Sequence, residues 1–182
     1  MDDDDIFALL ITWTCYGTWL PGDPRGHVSP VWDTCGFQPR ENKPGTPYSP
    51  GDRATHQLAR AAQKRETVWL NPEQARVAAE ALIAASHERG WNILRASIMA
   101  NHAHVVINNC PADGPAVRRV LKGVSQAKLS KFSGHPKRWW TAGGSDRSRR
   151  GEPSVMATIE YVIDQKGKLA EIADMKLLDP TT

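Results

Sequence analysis

Residues 91–108 read WNILRASIMANHAHVVIN. Two β-like runs, Trp91 to Met99 and His102 to Asn108, flank Ala100-Asn101, and that spacing suits a tight hairpin. Upstream, Asn71 is a predicted N-cap with Pro72 at the first helical position. Val77, Leu82, Ile83 and the alanines between them then build an apolar face as far as Arg89, and Gly90 stops the helix. Downstream, Pro115 to Phe132 predicts a second helix, with Val117, Val120, Leu121, Val124 and Leu129 to one side. Ile6 to Thr14, IFALLITWT, is short, apolar and β-prone, a strand buried on at least one face. A last helix is predicted from about Ser154 to Met175. The order is strand, long loop, helix, hairpin, helix, basic connector, helix. It predicts an α+β fold, with helices on one or both faces of a mainly antiparallel sheet.

The long loop is dense in turn chemistry: PGDPRG at 21–26, KPGTP at 43–47 and YSPGD at 48–52. Leu20 to Asp52 therefore reads as an irregular surface excursion, and loops of that length in compact domains are functional or mobile as a rule. The expectation is one domain over residues 1–182, with a loop-rich insertion at 20–66 and an acidic tail at 1–5.

At 182 residues, 40% apolar and 24% charged, the chain is long enough to bury a core and too apolar for a disordered one. No apolar run approaches the ~18–20 residues of a membrane helix. The start, MDDDD, is acidic where a secretory signal is basic, which predicts a chain that is not exported. Cys15, Cys35 and Cys110 are odd in number, widely spaced and without a CxxC, so neither a disulfide framework nor a zinc ribbon is expected, and the reading is cytoplasmic.

The net charge of +3 is unevenly spread. Between Gly114 and Pro153 stand Arg118, Arg119, Lys122, Lys128, Lys131, Lys137, Arg138, Arg147, Arg149 and Arg150. Against these ten stand only Asp146 and Glu152, a local +8. Such density marks a polyanionic partner, nucleic acid first among them. Trp139 and Trp140 lie inside the stretch, where they can stack unpaired bases or anchor the connector to the core.

His102-Ala103-His104 is the sharpest chemical feature. Side chains alternate along a strand, so the two imidazoles point the same way and can hold one divalent cation, although such a pair also occurs on polar sheet faces by chance. Tyr161 and Gln165 are four apart on the predicted last helix, hence on one face. Tyr161 can equally belong to the apolar face formed by Ile159, Val162, Ile163 and Leu169. Taken together these residues suggest one machine. A cation on His102, His104 and the Gln165 oxygen polarises a phosphodiester, and the Tyr161 phenol attacks phosphorus to give a phosphotyrosine and a free 3′-hydroxyl. His27, His56, His87 and His135 have no partner at ligand spacing.

HAH followed by VVIN, the late EYVIDQ and the opening ITWTCYGTWLPGD resemble the HUH-type single-tyrosine transposases, and within them the bacterial REP-associated tyrosine transposases. The resemblance spans about Ile6 to Ala173. It implies a ferredoxin-like (RRM-like) antiparallel sheet, with the HUH histidines on a central strand and the tyrosine on a C-terminal helix. It implies Mg²⁺ or Mn²⁺ at His102, His104 and Gln165, with Tyr161 as nucleophile. The implied partners are single-stranded DNA ends beside folded hairpins and, as a rule, a second copy in a homodimer, at the bacterial nucleoid. Ala103 departs from the bulky middle residue usual in the motif. Three readings stand at this point: a tyrosine strand transferase, a hairpin or single-strand binder of the same fold with idle chemistry, and a metal-dependent hydrolase using water.

Overall fold

The computed structural model describes residues 6–24, 51–178 and the backbone of 31–33 and 36–38. Its elements are β1 (Phe7–Thr14), β2 (Val31–Asp33), β3 (Gly36–Gln38), α1 (Arg53–Ala61), α2 (Pro72–Glu88), β4 (Asn92–Met99), β5 (His102–Asn108), α3 (Gly114–Phe132), β6 (Ser145–Arg150), α4 (Glu152–Ile163), β7 (Lys168–Ala173) and β8 (Lys176–Leu177). The acidic tail, residues 1–5, lies outside the described residues. The rest divides into two compact units, one within residues 17–68 and one formed by the chain on either side of them.

The unit within 17–68 corresponds to the insertion expected at 20–66. It contains the paired β2 and β3, and it is less loop-like than its proline content suggests, because α1 forms just past the turn-rich stretch. Asp52 starts that helix by accepting from the backbone N–H groups of Ala54 and Thr55. The Leu20–Asp23 turn packed against this helix start requires glycine: Gly22 has φ +77°, and a Cβ there would lie 2.4 Å from the Asp52 carbonyl oxygen.

The other unit is α+β. Its sheet runs β6-β1-β5-β4-β7-β8, antiparallel at every step. Within it, β1-α2-β4-β5-α3-β6 is a β-α-β-β-α-β chain, an order of elements and strands consistent with a ferredoxin-like arrangement. The hairpin predicted at Ala100-Asn101 is present, with Ser97 opposite His104 and Ile98 opposite Ala103. Asn71 caps α2 through a capping box with Gln74, and Gly90 follows its end at φ +68°, as the sequence predicts. The buried face of α2 is mostly alanine, with Leu82 as its largest member.

The sheet is covered on both faces. Asp146 of β6 lies opposite Ile11 and pairs with Arg118 of α3, whereas Arg149 lies opposite Ala8 and donates to Thr158 of α4. Residues opposite one another in an antiparallel pair share a face, and neighbours along a strand alternate. Hence α3, packed beside α2, covers the face of Leu9, Ile11, Trp13, Ala103 and Val105. The face of Ala8, Leu10 and Val106 packs against Val155, Ile159 and Val162 of α4.

Two predicted elements need correction. The last helix does not run to Met175; it ends at Ile163, and residues 168–173 are strand β7 on the free edge of β4. KLAEIA has good helical propensity, but the turn at Gly167 (φ +68°) and the open edge of β4 override it. The basic connector is likewise not all loop, since Ser145–Arg150 is β6, paired along β1. Among the described residues no helix is long and apolar enough to cross a membrane.

Candidate active site

His102 and His104 stand on β5, inside the sheet, opposite Thr14 and Thr12 of β1. They share the α4 face, their ring centroids 4.9 Å apart and nearly perpendicular. Tyr161, from the last turn of α4, sets its ring edge-on to His104 with centroids 5.4 Å apart. Three side chains from two distant stretches thus form one row. Its middle is dry and its tyrosine end wet: His104 is 6% exposed and Tyr161 49%.

Each imidazole is oriented through Nδ1. The Asn101 side-chain oxygen accepts from Nδ1 of His102 at 2.6 Å, which puts a proton on that nitrogen, so that in the neutral ring the lone pair is on Nε2. Nδ1 of His104 shares a 2.7 Å hydrogen bond with the Thr12 hydroxyl. Burial, and secondarily the neighbouring His102, lowers the pKa of His104 to about 3, so its imidazole is neutral at physiological pH.

Among the described residues no group of three His, Cys, Asp or Glu side chains is placed to hold a metal. A cation at this pair therefore needs a ligand of another type. The donor set nonetheless suits a divalent cation of the imidazole-and-oxygen kind, because side-by-side imidazoles anchored at the other ring nitrogen are the arrangement metal-binding histidines use. Gln165, expected on the helix one turn beyond Tyr161, lies past its end. Its Nε2 donates to the Tyr161 carbonyl at 3.0 Å, so it belongs to the same corner of the fold, held by main chain rather than by helical spacing.

The basic residues do not gather on this face. Arg118, Arg119, Lys122, Lys128 and Lys131 are on α3, across the sheet from the histidines. With Arg138, Gln126 and Trp140, the first three line a groove of about 440 Å³. Lys122 donates there to the carbonyls of Thr141, Ala142 and Gly143, while burial and the nearby Arg118 and Arg138 lower its pKa to about 8. Arg147 and Arg149 of β6 stand opposite Leu10 and Ala8 and so share the histidine face; Arg150, opposite Phe7, does not.

Trp139 and Trp140 are not available for stacking. Trp139 is 1% exposed, with its indole N–H donating to Ser130, and Trp140 is buried edge-on to Trp13 with its N–H donating to Ser125. Of the two uses the sequence leaves open, they anchor the connector to the core. Thr12 and Asn101 complete the site by holding the two imidazoles. Asn101 has a local signal in its place beside the histidines, whereas Thr12 becomes visible only once β1 is registered against β5. Comparison of the chain with protein-family models gives no match, and comparison with curated proteins gives none.

Proposed function

We propose that this protein is a metal-dependent DNA strand transferase of the HUH single-tyrosine type, a transposase or transposase-like enzyme on a ferredoxin-like sheet, with Tyr161 as nucleophile. The observation that carries the reading is the row His102–His104–Tyr161. The neutral His104, its neighbour His102 and a half-exposed phenol meet on one face, with Arg147 and Arg149 on the same face to receive a phosphate backbone.

Tyr161 Oη attacks the phosphorus of single-stranded DNA. The new bond is Oη–P, the bond broken is P–O3′, the phenolic proton passes to solvent, and the departing 3′ oxygen takes up a proton. The product is a 5′-phosphotyrosine and a free 3′-hydroxyl, and attack by another 3′-hydroxyl reverses the step without ATP. His102, His104 and the Gln165 side-chain oxygen would hold Mg²⁺ or Mn²⁺, which when bound would supply Lewis-acid polarisation of the phosphodiester and favour the phenolate over the phenol. Asn101 and Thr12 orient the imidazoles. The α3 groove of Arg118, Arg119, Lys122 and Arg138 takes the folded hairpin beside the cleaved strand, at the bacterial nucleoid, and a homodimer is the working assembly.

Labelled single-stranded DNA from the flanks of the gene, mixed with protein and Mg²⁺ or Mn²⁺ and run on a denaturing gel, tests this. A covalent band is expected, lost with EDTA and lost in Tyr161→Phe. Tight binding without that band would turn the reading to a binding module. Metal-dependent cleavage that persists in Tyr161→Phe would turn it to a hydrolase.

A further inference from the structure

The last turn of α4 is fastened by side chains to an unusual degree. A helix leaves its final carbonyls without intrahelical partners. Here the Glu160 carbonyl accepts from the Asp164 backbone N–H, and the next three each accept from a side chain. The Tyr161 carbonyl takes Gln165 Nε2 at 3.0 Å, the Val162 carbonyl takes Ser97 Oγ at 2.8 Å, and the Ile163 carbonyl takes Lys168 Nζ at 2.9 Å. Ser97 is on β4, fully buried and directly opposite His104 in the register. Lys168 opens β7 and is itself held by Glu171, at 2.8 Å, which also pairs with Arg95 of β4. The sheet that carries the histidines thus grips the turn that carries the tyrosine.

The crossing of α4 adds a second constraint. The helix joins β6, at one edge of the sheet, to β7 beyond β4, four strand spacings away. Four spacings come to about 19 Å. Twelve helical residues give about 18 Å. The only links are Gly151 before the helix and residues 164–167 after it, and Gly151 is itself tied to β1, its N–H donating to the Ile6 carbonyl. The helix has little slack to leave its own sheet for another.

We propose that Ser97 and Lys168 are positioning residues that lock the last turn of α4, so that Tyr161 serves the histidine pair of its own chain. This rests on the strand-transfer reading for its chemistry but not for its geometry, and the test separates the two.

The chain has three tyrosines, so 3-fluorotyrosine labelling of the full protein gives three ¹⁹F resonances, with Tyr161 assigned by Tyr161→Phe. In Lys168→Met and in Ser97→Ala the Tyr161 resonance moves toward that of free fluorotyrosine while the other two stay; in Lys168→Arg it stays. Dilution of the wild-type protein leaves it unmoved. With DNA, the rate of adduct formation in Lys168→Met falls about 10²-fold at unchanged DNA affinity, the scale of a misplacement of about 1 Å, and Lys168→Arg recovers most of it. A mixture of Tyr161→Phe with His104→Ala forms no adduct. A Tyr161 resonance indifferent to both clamp variants, or one that shifts on dilution, overturns the proposal, as does adduct formation by the mixture. If the wild-type protein forms no adduct with any DNA offered, the strand-transfer reading falls and the fluorine spectra alone decide the clamp.

Discussion

At His104, burial and a neighbouring imidazole act in the same direction. Both disfavour the protonated ring, and together they lower its pKa from 6.5 to about 3. Between those values the unfolded chain takes up a proton that the folded chain refuses. The stability His104 contributes is thus complete above about pH 6.5 and is lost as the pH falls toward 3. Urea unfolding at pH 7 and pH 4.5 should show a larger loss for the wild-type protein than for His104→Gln, whose amide does not titrate; equal losses would contradict the dry environment described for this ring. The residue types at this site were legible in the sequence, because HAH and a lone late tyrosine are local patterns. Their orienting partners were less so, since Thr12 reaches His104 across 92 positions of chain.

Elements were legible where local signals agreed with tertiary context. Asn71-Pro72 and Gly90 bracket α2, and the two runs around Ala100-Asn101 are the central hairpin, as their sequences predict. Legibility ended where an open strand edge recruited a segment whose own preference lay elsewhere. KLAEIA became β7 on β4, and SDRSRR, with no hydrophobic residue, became β6 on β1. Neither follows from propensity, because the pairing partner supplies what the segment lacks. The same non-local effect decides the tryptophans. Trp139 is placed by Gln126 and Ser130 of α3, which hold its backbone N–H and its indole N–H. Trp139→Ala should therefore cost about 3–5 kcal/mol in denaturant unfolding, as large core truncations do. Trp139→Phe should bind single-stranded DNA as the wild-type protein does; weakened binding in a folded Trp139→Phe protein would restore a stacking role.

Over the whole sheet, charge is divided between two faces. The α3 groove and the row His102–His104–Tyr161 are separated by the thickness of the sheet, so binding and chemistry should be separable by mutation. Arg119→Ala combined with Arg138→Ala should weaken DNA binding and flatten its dependence on salt, by about 0.9 in the log–log slope for each hairpin-stem phosphate no longer neutralised. The rate of adduct formation at saturating DNA should be unchanged. A variant that keeps its affinity but forms the adduct more slowly would mean the groove belongs to the chemistry instead.

One side of the sheet ends on β6, where three of six residues are arginine. A terminal strand offers bare N–H and C=O groups to any other chain, and charged side chains are one of the means by which proteins keep such a strand from recruiting one. Arg147 and Arg149 project to one face and Arg150 to the other, so a second copy approaching edge-on meets like charge on both sides of the backbone. Arg147 and Arg149, proposed above to receive a phosphate backbone, would therefore also keep this edge from self-association. Their neutralisation would expose the protein to self-association and precipitation as well as to weaker binding.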